Sequence, residues 1–189
     1  FSEYLKYALG EYRHIPSCGF ETSFRHPVKL EQVYINLHAH IGSVDYPVKG
    51  KEKLESFYRR EELSSMDIKG AFAALKRYDV KDMILLGDPG SGKTTLLKYI
   101  LIMILLAKAE AAVGVSSTLV PFFIPLRMWG PGMTDFYHLA DKACLLSRFA
   151  VTEDIFYELC KNGKALLLFD GLDEAGDKDK RRKLITWLE

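Results

Sequence analysis

The stretch Met83–Thr95, MILLGDPGSGKTT, constrains this chain more than any other. A short apolar run feeds a glycine-rich loop that ends in Lys-Thr-Thr and opens a helix. The loop fits the phosphate-binding pattern G-x-x-x-x-G-K-[ST], with Gly87, Gly92, Lys93 and Thr94 at the fixed positions. Glycines at 87, 90 and 92 free the backbone for conformations barred to residues with a Cβ, so that N–H groups can converge on phosphate oxygens. The helix start adds its positive N-terminal dipole, Lys93 can reach the β- and γ-phosphates, and the Thr94 hydroxyl can ligate Mg²⁺. The candidate nucleotide-binding residues are therefore Gly87, Asp88, Pro89, Gly90, Ser91, Gly92, Lys93, Thr94 and Thr95.

A second motif fits the opposite wall of such a site. Leu166-Leu167-Leu168-Phe169-Asp170 is an apolar strand ending in a carboxylate, and the C-terminal end of a strand is where an α/β sheet places its ligand. Asp170 can hold Mg²⁺ through water while Thr94 holds it directly. Gly171 keeps the following turn slim. Asp173 and Glu174 put two more carboxylates near the γ-phosphate position, where one of them can orient or deprotonate an attacking water. Lys93, Asp173 and Glu174 are the candidate catalytic residues, with Glu174 favoured as the group that activates water. Arg127 ends the run before it on the ligand side; a surface ion pair is the simpler expectation for it, phosphate contact the alternative.

The 189 residues suffice for one substantial domain or one domain with an appendage. Lys plus Arg number 26 against 25 Asp plus Glu, so no bulk charge bias points to nucleic acid or to an anionic membrane. Cys18, Cys144 and Cys160, without CxxC spacing, suit free thiols in a reducing compartment, and a cytoplasmic location is expected. His38 and His40 share one strand face but have no third ligand nearby in sequence, so solvent exposure is expected rather than metal. The basic run from Lys178 to Lys183 reads as a solvated helix face.

Along the chain, Phe1–Arg13 has the apolar spacing of an amphipathic helix, and His14–Lys29 reads as an irregular connection. Gln32–His40 alternates Val33, Ile35, Leu37 and Ala39 with polar residues, which predicts a half-buried strand. Ile41–Lys51 reads as loop, and Lys53–Arg60 and Met66–Tyr78 as short helices. From Asp82 the rhythm becomes α/β: strand Asp82–Leu86, a helix from about Thr94 to Ala112, strand Leu119–Leu126, helices Asp135–Phe149 and Thr152–Lys161, strand Ala165–Phe169, and a helix from Asp177. Pro121 and Pro125 each remove a donor and favour an edge position for their strand. The division expected is a mixed α+β lead-in over residues 1–80 and a P-loop NTPase domain over 81–189.

At these residues the chain resembles the NACHT branch of the STAND signal-transducing NTPases. GDPGSGKTT at Gly87–Thr95, VPFFIPLR at Val120–Arg127 and LLLFDGLDEA at Leu166–Ala175 match that family's first three blocks in order and spacing, and the stretch Tyr4–Leu37, ending in LEQVYINL, resembles its lead-in. The resemblance implies a parallel sheet flanked by helices and an ATP/ADP switch with Mg²⁺. In it the ADP form is closed, ATP exchange permits homo-oligomerisation, and hydrolysis resets the state. In prokaryotes such proteins often serve in phage defence. Two other readings compete: an AAA+-like motor ATPase, defined by continuous turnover, and a scaffold that holds nucleotide without turnover. The family's sheet sets its fourth strand between the first and the third. With only strands 1–3 within these 189 residues, strands 4 and 5 are expected beyond Glu189, and the isolated stretch is expected to be poorly soluble or weakly active.

Overall fold

Two runs of apolar residues far apart in the chain, Val120–Pro125 and Ala165–Asp170, pair in parallel at the centre of the structure. The structure, a computed structural model, describes residues 1–14, 28–40, 65–130, 132–133 and 135–188. Its elements in chain order are helix α1 (Ser2–Tyr12), the single turn α2 (Leu30–Val33), strands β1 (His38–His40) and β2 (Ser65–Asp67), helices α3 (Ile68–Tyr78) and α4 (Lys93–Leu105), the turn α5 (Ala109–Ala112), strand β3 (Val120–Pro125), helices α6 (Phe136–Cys144) and α7 (Glu153–Lys161), strand β4 (Ala165–Asp170) and helix α8 (Lys178–Leu188). Two 3₁₀ turns, Leu126–Met128 and Leu146–Phe149, complete them. β1 and β2 form a small antiparallel ribbon, with His38 opposite Asp67.

The β3–β4 register runs from Val120 opposite Ala165 to Pro125 opposite Asp170. Every residue of β3 is buried, as a strand covered on both faces must be. Phe122 and Ile124, with Leu167 and Phe169, face a core built with Leu139, Phe156 and Leu184 from α6, α7 and α8. Phe123, with Leu166 and Leu168, faces the opposite core, filled by Leu96, Ile100 and Ile104 of α4. One strand pair thus lies between two helical layers, the architecture of an α/β protein.

Helix α1 touches both cores. Tyr4 stacks on Phe122 at 5.4 Å and Tyr12 lies against Phe123 at 5.0 Å, on opposite faces of the same strand. A single helix reaches both faces only by passing around the side of β3 away from β4, so α1 covers that edge. Its Tyr4 hydroxyl, buried at 1% exposure, donates to the Pro121 carbonyl at 2.8 Å. Burial pushes the Tyr4 and Tyr12 phenols well above their ordinary range, so both stay neutral.

Several elements differ from their sequence expectation. Residues 32–40 are not one strand: Leu30–Val33 is a helical turn, 34–37 are irregular, and only His38–His40 is extended in a ladder. Leu30, Tyr34 and Leu37 pack against the α4 core, and this i, i+4, i+7 set outweighs the alternation. Residues 82–86 form no strand among the described residues, because they meet no ladder partner. Leu85 packs into the α4 core while Ile84 and Leu86 are 63% and 74% exposed. Leu167 pairs with Phe122 instead, so Leu85 and Leu167 are not on adjacent strands.

The long helix over 94–112 is broken after Leu105. Ala107 adopts a left-handed φ of 55°, and the Lys108 N–H returns to the Met103 carbonyl at 2.8 Å, a closed helix end. The break lets Ala109 and Val113 bury completely. Residues 135–149 likewise divide: α6 stops at a left-handed Leu145, and the Asp141 carboxylate accepts the Ser147 N–H of the next 3₁₀ turn at 2.6 Å. The Thr152 N-cap accepts from Ile155 N–H. The stretches expected as connection, loop and helix over 15–27, 41–51 and 53–60 lie outside the described residues.

Two substitutions test this packing by chemical denaturation. Tyr4→Phe leaves the buried Pro121 carbonyl unpaired and is expected to lower unfolding stability by about 1–3 kcal/mol. Phe156→Ala, at a fully buried ring set edge-on to Phe122, is expected to cost about 3–5 kcal/mol. An unchanged Tyr4→Phe midpoint would remove the hydrogen bond from the docking of α1.

Candidate functional site

Residues 87–92 form the turn that links the extended segment to α4. Gly90 and Gly92 take φ of 79° and 88°, conformations that strain any residue with a side chain. Gly92 is the N-cap of α4, and the helix begins at Lys93, as the motif requires. A Cβ on Gly87 would stand 2.9 Å from the Ser91 hydroxyl, so a side chain there would have to displace that hydroxyl. The Lys93 ammonium turns back over the loop and donates to the carbonyls of Gly87 at 2.7 Å and Asp88 at 2.8 Å. That places one positive charge at the mouth of a backbone concavity, beside the positive end of a helix.

The two motifs meet through a direct contact. Thr94 Oγ1 donates to Asp170 Oδ1 at 2.9 Å, joining the first turn of α4 to the last residue of β4. Asp170 then opens a tight turn: Gly171 has a left-handed φ of 74°, and the Glu174 N–H returns to the Gly171 carbonyl at 3.1 Å. Buried Ala175 anchors the far side of that turn.

The candidate catalytic acids fare differently. Glu174 lies over Gly171, where a Cβ would come within 3.3 Å of Oε2, and it forms an ion pair with Arg127 Nη1 at 3.2 Å. The surface ion pair expected of Arg127 is thus present, and its partner is the acid favoured for activating water. Asp173 is exposed, and no hydrogen bond or ion pair ties it to the other candidates among the described residues. Two contacts thus stand beyond the C-terminal ends of the strands, Thr94 with Asp170 and Arg127 with Glu174, while Lys93 folds over the loop that precedes α4.

The oxygen pair Thr94–Asp170 suits a hard divalent cation. Mg²⁺ takes one or two protein oxygens and completes its shell with water and phosphate, and these are oxygens of the required kind held together in advance.

Sequence reasoning missed a groove beside the loop. Leu30, Val33, Tyr34, Ile35 and Leu37 line an open, mostly apolar depression of about 220 Å³ that ends at Gly92 and Thr95. Tyr34 stacks on Tyr99 of α4 at 3.8 Å, nearly parallel, and Leu37 would stand 3.2 Å from a Cβ on Gly92. The signal available was the helical spacing of Leu30, Val33, Tyr34 and Leu37, masked by the competing alternation.

Other candidates remain structural. The Cys144 thiol is buried, donates to the Phe123 carbonyl at 3.3 Å, and is pushed up to about 12 by burial, which keeps it unreactive at neutral pH. Cys160 is half-buried and its thiol is also raised by burial. His38 is exposed on β1. Among the described residues no helix is long and apolar enough to cross a membrane.

Comparison with known proteins gives one family. The NACHT domain profile matches residues 81–189, more than half of the chain, and takes in the phosphate loop, β3, β4 and the acidic turn. No curated protein and no solved structure matches. With its phosphate loop, its Thr94–Asp170 contact and its matched length, this chain belongs to the NACHT family of nucleotide-binding P-loop NTPases, of the STAND kind.

Proposed function

We propose that the chain is the ATP/ADP-binding part of a signal-transducing switch that hydrolyses ATP slowly and uses hydrolysis as its reset. The observation that supports this reading is the 2.9 Å Thr94–Asp170 contact, which joins the helix after the phosphate loop to the strand end before the acidic turn. In this reading the N–H groups of residues 87–95 hold the phosphates, with Lys93 exchanging its two loop carbonyls for β- and γ-phosphate oxygens. Thr94 and Asp170 would hold Mg²⁺, which would supply positive charge against the phosphate oxygens. The groove from Leu30 to Leu37 takes the flat base, whose apolar faces match its lining. Glu174 orients the attacking water and receives its proton as the bond from the γ-phosphorus to the bridging oxygen breaks; Asp173 is a weaker second candidate.

Residues 81–189 are read as the NTPase domain and 1–80 as a lead-in that supplies the base groove and the edge-covering helix. Homo-oligomerisation in the ATP state, a cytoplasmic setting and a role in immune or anti-phage defence rest on the family resemblance alone. A motor differs from a switch in turnover: fast, unstimulated steady-state ATPase of the intact protein would overturn the switch reading, and slow turnover with retained nucleotide is expected.

Lys93→Ala removes the mobile charge aimed at the phosphates. It is expected to abolish tight binding, weakening ATP affinity roughly a hundredfold by isothermal titration. Wild-type affinity would sink the site assignment. Glu174→Gln is expected to keep ATP affinity while slowing single-turnover hydrolysis roughly a hundredfold, with Asp173→Asn slowing it less. Unchanged hydrolysis in both removes them from catalysis.

A further inference from the structure

We propose that Arg127 is a positioning residue for hydrolysis, holding the Glu174 carboxylate over Gly171 at the end of β4. This rests on the reading of Glu174 as the group that activates water. Three observations carry it. The first is where the two side chains start. β3 and β4 are neighbours whose last register pair is Pro125 with Asp170, so Arg127 and Glu174 leave the same edge of the sheet just beyond it, where Asp170 holds Thr94. The second is how firmly their backbones are held. Leu126 is buried at 4% exposure and accepts the Trp129 N–H, while Ala175 is buried at 1% and Glu174 itself closes the turn on Gly171.

The third is the space between. The missing Cβ of Gly171 leaves room for the Glu174 carboxylate, and its left-handed φ of 74° keeps larger residues out. The Arg127 guanidinium stands 3.2 Å from the same carboxylate oxygen. Both heads are 58% exposed, and solvent-exposed pairs contribute little to stability, so the pair explains the direction of Glu174 better than it explains the fold. Without Arg127 the carboxylate is free to turn into solvent, as Asp173 already stands. The contact runs through one nitrogen, Nη1 to Oε2, and the planar guanidinium fixes the direction of that donor more than a rotating lysine ammonium would.

The test uses the intact protein and single-turnover hydrolysis of Mg²⁺-ATP, with Arg127→Gln, Arg127→Lys, Glu174→Gln and the double variant Arg127→Gln/Glu174→Gln. Arg127→Gln is expected to lower the saturated rate roughly ten- to hundredfold, since small displacements of a reacting group cost that much, while half-saturation, ATP affinity and melting temperature stay near wild type. Arg127→Lys should recover part of the rate. In the Glu174→Gln background the loss of Arg127 should have no further effect, because it acts through the carboxylate already removed. A wild-type rate in Arg127→Gln beside an impaired Glu174→Gln overturns the inference alone. So does a further loss in the double variant, or an Arg127→Gln protein that binds ATP more weakly but ADP normally, since either makes Arg127 a direct phosphate contact. A Glu174→Gln protein with the wild-type rate overturns the reading of Glu174 and the inference with it.

Discussion

The parallel pairing of β3 with β4 is the constraint on which everything else depends. Parallel strands cannot be joined by a tight turn, so the 126–164 segment must cross over, and it does so as α6 and α7 on one face. A parallel sheet must also be dry on both faces, which demands the α4 layer on the other. The register then decides the chemistry. Because Pro125 stands opposite Asp170, the strands end together, and the turns that follow them place Arg127 and Glu174 side by side. Shifting this register by one residue would turn Asp170 to the other face and break its contact with Thr94.

The elements most legible in the sequence were the two continuous apolar runs that pair at the centre of the sheet. Val120–Pro125 and Ala165–Asp170 lie within a residue of the runs read as strands, because a short continuous apolar run that packs helices on both faces carries no competing helical period; β3 is buried throughout, β4 most deeply at Leu168. The phosphate loop was legible for a different reason: its glycines and lysine answer a backbone demand that is local to the loop. Helix ends were less legible. The chain leaves α4 at Leu105 because Ala109 and Val113 have to reach the core, a demand set by tertiary packing and not by the helix-forming run itself.

The two failures share a cause. Residues 32–40 alternate and residues 83–86 are a continuous apolar run, but a strand is a property of a pair, and neither pattern says whether a partner arrives. In the first, Leu30, Tyr34 and Leu37 found a better surface on α4. In the second, Leu85 alone packs into the α4 core, while Met83, Ile84 and Leu86 are exposed and meet no ladder partner among the described residues. The acidic turn illustrates the same limit in the site. Asp173 and Glu174 are adjacent and chemically alike in sequence, and only the contact with Arg127 and the space over Gly171 separate them.

The lead-in enters the site by a similarly indirect route. The Arg13 guanidinium at the end of α1 donates to the Glu31 carboxylate at 2.7 Å, and the Leu30 N–H donates to the Arg13 carbonyl at 2.8 Å, so α1 and the α2 turn are tied end to end. Glu31 is only 13% exposed, which shields this pair from the screening that weakens surface ion pairs. One end of the tied unit is pinned to β3 through Tyr4, and the other leads through Tyr34 on Tyr99 and Leu37 against Gly92 to the phosphate loop. The Gly92 conformation therefore has two supports: its own φ, which only glycine adopts without strain, and a leucine side chain delivered by the N-terminal segment. The lead-in is for that reason part of the loop's physical environment and not merely a segment that precedes it.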